Sequence, residues 1–80
     1  MNFLSEQIID NFIGSLSQED FLDIDSKHDD NEAYTLISTL YNRDFGTNPS
    51  GTGVYLLRKK FSIGTEEENR KYIPDSQKFY

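Results

Sequence analysis

Cysteine is missing from this 80-residue chain, and its absence removes two ways of stabilising a small domain. No disulfide framework can form, and neither can a thiolate metal site. Histidine occurs once, at His28. A transition-metal centre would therefore have to be completed by Asp25, Asp29, Asp30 or Glu32, and their spacing matches no metal motif. No apolar run reaches the roughly 18 residues that a membrane span requires, so no membrane partner is expected. The opening stretch MNFLSEQIIDNFIGSL lacks a basic leader and carries Glu6 and Asp10, which makes it a poor signal peptide. A soluble, cytoplasmic protein is the expectation.

Small apolar residues are also scarce, with one Ala, one Val and one Met. Seven Ile, seven Leu, six Phe and five Tyr supply nearly all of the 35% apolar content. A single domain over residues 1–80 buries only about 60% of the surface its unfolded chain exposes, so this core is thin. Such a core is often completed by a partner, and a homodimer is one alternative. The bias towards Ile, Asn, Asp, Lys, Tyr and Phe suits a gene of low GC content, as in small phage or mobile-element proteins.

Charge divides the chain. Residues 1–50 hold ten acids and two bases, net −8, whereas residues 51–80 hold four acids and six bases, net +2. An acidic surface of this kind repels nucleic acid and attracts basic protein surfaces. It also serves solubility alone.

Helical spacing is clear in the acidic part, residues 1–46. Leu4, Ile8, Ile9, Phe12, Ile13 and Leu16 mark a first helix, with Asn2 as its cap. Ser17 and Asp20 form the ends of a capping box for a short second helix, which Phe21, Leu22 and Ile24 would close. Asp29 or Asp30 caps a third, in which Ala33, Leu36, Ile37, Leu40 and Tyr41 share one face. Arg43 in its last turn and Gly46 just beyond are stop signals, and Phe45 is placed to pack back on the helix.

A Gly/Pro turn over residues 47–53 follows, then the basic part, residues 54–73. VYLLRKKFSI between Gly53 and Gly64 predicts a strand, with Tyr55, Leu57, Phe61 and Ile63 on one side. NRKYI is a candidate for its hairpin partner, although Thr65 before three glutamates equally resembles a helix cap. Pro74 opens an aromatic-ended tail, residues 74–80, that finishes on Phe79 and Tyr80. The expected fold is α+β: a two- to three-helix unit, a glycine-rich turn and a short C-terminal strand or hairpin. An all-α small bundle is the alternative.

Motifs for chemistry fail on inspection. Gly46 and Gly51 have the separation of a phosphate loop, but Thr52 stands where its lysine belongs, and the expected element order is wrong. A calcium loop begun at Asp23 meets Lys27 and His28 at its fifth and sixth positions. No serine sits in a nucleophile elbow. The reading is therefore a non-enzymatic protein with no cofactor and no metal. YLLRKKF places three cations between aromatics, as in some single-strand binders, but a sequence pI of 4.5 argues against nucleic acid.

Two binding roles remain. In the first, the protein is an acidic regulator or inhibitor that docks on a basic site of a partner protein, of the kind that often binds nucleic acid. Glu19, Asp20, Asp23, Asp25, Asp29, Asp30 and Glu32 then stand in for phosphates. In the second, it is an accessory subunit of a larger assembly, held by apolar contacts. Its strand, with Tyr55, Arg58, Lys59 and Lys60, would add to a partner's sheet edge, and Phe79 and Tyr80 would anchor the tail.

Overall fold

The computed structural model describes residues 3–73, and among them the chain forms five helices and no strand. These are α1 (Phe3–Ser15), α2 (Gln18–Asp25), α3 (Asp30–Phe45), α4 (Thr52–Lys60) and α5 (Glu66–Arg70). The α+β expectation is thus overturned, and a small all-helical bundle takes its place. The expected Asn2 cap and the aromatic tail lie outside the described residues.

Ile9 and Phe12 of the first helical stripe are buried on α1, which packs against α4, and Leu16 is buried just beyond its end. At its end, the single Ser15 hydroxyl proton is shared between the Phe12 carbonyl (2.7 Å) and Asp44 Oδ2 (2.9 Å), linking α1 to the end of α3. Ser17 then starts α2 with the expected capping box: its hydroxyl accepts from the Asp20 amide, and its own amide donates to Asp20 Oδ2. Only Ile24 of α2 is buried, so the second helix rests on the bundle along a narrow line.

Asp29 caps α3 by accepting from the Asn31 amide, and Ala33, Ile37 and Leu40 are buried along its inner face. Gly46 ends it in the left-handed conformation, φ 73°, which glycine adopts without a Cβ penalty. Phe45 packs back as expected, with its ring centroid 4.6 Å from Tyr41 and 6.2 Å from Phe12.

The segment expected as a strand is α4. In a strand Leu56 and Leu57 would face opposite sides; here both are buried, together with Thr52 and Tyr55. Burial on both sides is available because α4 lies between α1 and α5. Arg58, Lys59 and Lys60 fall in its last turn, where cations oppose the negative end of the helix dipole. The chain then reverses through a Schellman turn. The Ile63 amide donates to the Arg58 carbonyl (2.8 Å) and the Ser62 amide to that of Lys59 (3.1 Å), with Ser62 left-handed at φ 56°. Thr65 caps α5, so NRKYI is no hairpin strand. The glycine-rich stretch is a helix-to-helix connection with Gly51 as the N-cap of α4. Its element order still differs from the strand–loop–helix of a phosphate loop.

Candidate functional site

The seven acids singled out from the sequence lie on α2, on the α2–α3 connection and on the first turn of α3. Three of them have structural duties. Asp20 closes the capping box of α2 and pairs with Arg43, whose Nη2 is 3.3 Å from Oδ2. Asp29 is the cap of α3. Asp30 Oδ2 accepts from the Gly64 amide at 3.2 Å, tying the start of α3 to the turn after α4.

Glu19, Asp23, Asp25 and Glu32 are exposed, and their carboxylates have no hydrogen bond or ion pair among the described residues. Over residues 17–32, seven acids face one lysine, a net charge of −6 that equals that of the whole chain. The surplus is therefore concentrated on one edge of the bundle.

An apolar side chain stands in the middle of that edge. Leu22 is 60% exposed, the most open of the large apolar residues described. Glu19 and Asp25 lie three residues before and after it, so carboxylates flank it one turn above and below. Phe21 beside it is 37% exposed and leans on Phe61, ring centroids 6.5 Å apart. The sequence groups Leu22 with Phe21 and Ile24 as the apolar residues that close α2, and does not separate it from them. A two-turn helix with one buried residue could have warned otherwise: residues 21, 22 and 24 span too wide an arc of a helix to share one narrow contact.

The second set of site residues is scattered. Tyr55 is buried and donates to Glu66 Oε1 at 2.6 Å, a bond that raises the Tyr55 pKa and lowers that of Glu66. Lys59 Nζ sits 5.6 Å from the Tyr55 ring centroid, and Lys60 pairs with Asp10 at 3.2 Å. The sheet-edge role proposed for this segment fails because it is a helix. Phe79 and Tyr80 lie outside the described residues.

Arg58 alone of these cations faces a groove, which sequence reasoning did not foresee. The groove runs between α3 and the α4 side of the bundle, encloses about 630 Å3, and is walled by Tyr34, Thr35, Thr39, Asn48 and Tyr72 among others. The Arg58 guanidinium carbon lies 5.5 Å from the ring centroids of both Tyr34 and Tyr72. Its Nε donates to Asn69 Oδ1 at 2.7 Å. The Tyr34 hydroxyl is buried and makes no well-formed hydrogen bond; burial raises its pKa, opposed by a contact with the Ser38 hydroxyl and by Arg58.

Among the described residues, no three His, Asp or Glu side chains converge as metal ligands. None of the described helices is long and apolar enough to cross a membrane. Compared with protein-family models, with curated proteins and with solved structures, the chain finds no match in any of the three.

Proposed function

We propose that this chain is a small acidic, non-enzymatic docking module that regulates or inhibits a partner protein by covering a basic site on it. The observation that carries the reading is Leu22, exposed between unpaired carboxylates on α2. Protein interfaces commonly have an apolar centre, which desolvates, and a polar rim, which selects the partner. Here the charge of the rim is predominantly negative, so the complementary surface is positive with an apolar pocket. Nucleic-acid-binding sites have that charge, and Glu19, Asp23, Asp25 and Glu32 would then occupy phosphate positions. Long-range attraction speeds encounter, and salt weakens it.

The test is to neutralise four of these acids by substitutions that keep the hydrogen bonds of Asp29 and Asp30. Asn replaces Asp well as an N-cap, so Asp29→Asn keeps the start of α3. The Asp30→Asn side chain can still accept from the Gly64 amide. A variant with Asp23, Asp25, Asp29 and Asp30 all changed to Asn should keep its helical signal and lose partner affinity. Unchanged affinity would end the acidic-docking reading.

A further inference from the structure

The groove around Arg58 has a construction that the docking role on α2 does not use. Asn69 is only 3% exposed, and both ends of its amide are engaged: Oδ1 accepts from Arg58 Nε, and Nδ2 donates to the Ile63 carbonyl at 2.8 Å. A buried amide thus fixes the orientation of the guanidinium. Gly64 adds to this, since a Cβ at that position would stand 3.0 Å from Arg58 Nη2 and its φ is +67°. Yet the Nη nitrogens so placed meet no acceptor among the described residues, and Arg58 forms no ion pair there. Glu68 Oε2 lies 3.4 Å from the same Cβ position but forms no ion pair with Arg58, so among the described residues the guanidinium stands without a salt bridge in a chain of net −6.

The rest of the wall is polar and divided in its hydrogen-bonding character. Thr35 Oγ1 donates to the Asn31 carbonyl (2.8 Å), and Thr39 Oγ1 donates to that of Thr35 (3.0 Å). Both hydroxyl protons are spent, so these oxygens can only accept from a ligand. Asn48 Oδ1 accepts from Asn42 Nδ2 at 3.2 Å, which leaves the Asn48 amide as a donor. The groove therefore calls for an anion at Arg58 and for hydroxyl groups, which both give and take protons, along α3. Its volume lies within the range of small-molecule sites. A single guanidinium fork matches one planar carboxylate, and the acidic chain disfavours a dianion. Lys71 lies over the same Tyr72 ring at 5.3 Å but does not line the groove.

We propose that the groove between α3 and α4 binds a small polyhydroxylated carboxylate of the sugar-acid class, its carboxylate on the Nη nitrogens of Arg58 and its hydroxyls on Thr35, Thr39 and Asn48. The test titrates the full 15N-labelled chain with gluconate and with glucuronate, and follows the Arg58 Nε–H and the amides of Tyr34, Ser38 and Thr39. Acetate, sorbitol and inorganic phosphate are titrated alongside. At least one sugar acid should give saturable shifts with a Kd of about 0.1–5 mM, as suits one charge pair and a few hydrogen bonds. Acetate and sorbitol should each bind about tenfold or more weakly, since each lacks half of the recognition. Arg58→Lys keeps the charge but loses the fork, and should weaken binding about tenfold. Thr39→Val, on the exposed side of α3, should weaken the sugar acid and leave acetate unchanged. Absence of saturable shifts with both sugar acids would overturn the proposal. So would phosphate binding more tightly than either, or Thr39→Val and Arg58→Lys binding as tightly as the native chain.

Discussion

Arg43 grips Asp20 at both ends of its guanidinium, Nη1 to Oδ1 at 3.4 Å and Nη2 to Oδ2 at 3.3 Å, and so joins α3 to α2. The same carboxylate accepts the Ser17 amide and closes the first turn of α2. Beside the buried Ile24 and the Phe21–Phe61 contact, this one side chain adds a polar tie to both the first turn of α2 and its position on α3.

The Asp20 carboxyl is held below its ordinary pKa, first by the Ser17 amide and then by Arg43. A folded pKa below the unfolded one gives stability that is complete above the unfolded value and is lost as pH falls through the folded value. Asp20→Asn should therefore melt earlier than the native chain at pH 7, and the gap should close on acidification to below about pH 3.9, the ordinary aspartate value. Melting curves at pH 7 and pH 3 test this. A gap of equal size at both would assign the effect to shape rather than charge.

Tyr34 carries a buried hydroxyl with no well-formed hydrogen bond, and burial raises its pKa against the opposing effect of the Ser38 hydroxyl and Arg58. Tyr34→Phe keeps the ring beneath Arg58 and removes the unsatisfied group. It should stabilise the fold by about 1 kcal/mol, the lower part of the usual cost of such a group. For a domain of this length that raises Tm by roughly 4–8 °C. Because a raised folded pKa costs stability as pH rises past the unfolded value, the variant should also resist alkali better than the native chain. A lower Tm would mean that the hydroxyl has a partner, such as a buried water.

Ser62 occupies the left-handed position of the turn after α4, φ 56°, where a side chain costs about 1–2 kcal/mol. Ser62→Gly removes that strain and loosens the unfolded chain, which returns part of the gain. A net stabilisation of about 0.5–1 kcal/mol is expected in denaturant titration. Destabilisation would show that the Ser62 side chain itself contributes to the turn.

That serine also explains the main failure of sequence reading. The three helices of the acidic part were legible because their signals were local: Ser17 and Asp20 for α2, Asp29 and Gly46 for α3, and apolar periodicity for α1 and α3. The end of α4 carries a Ser where glycine is usual, so the first visible stop was Gly64, and a ten-residue segment between glycines read as a strand. Its two-sided burial, with Leu56 and Leu57 both inside, depends on α1 and α5, which no local pattern records. The acidic composition of the candidate site was equally plain. Hidden from sequence were the division of its acids into structural and unpaired ones, and the exposure of Leu22. Arg58 was noticed as one of three cations, but its separate role rests on Asn69, eleven residues later in the chain.

Leu22 is where the docking account is most exposed to refutation. At 60% exposure its truncation should leave the melting temperature nearly unchanged, so any loss of binding reports the interface. The decisive measurement is parallel affinity capture with the native chain, with Leu22→Ser and with the fourfold Asp→Asn variant, each washed at low salt and at about 0.5 M salt, where surface charge is largely screened. A single stoichiometric basic protein held by the native chain at low salt, and lost both with either variant and in high salt, is the expected result. The same partner retained by both variants would contradict it.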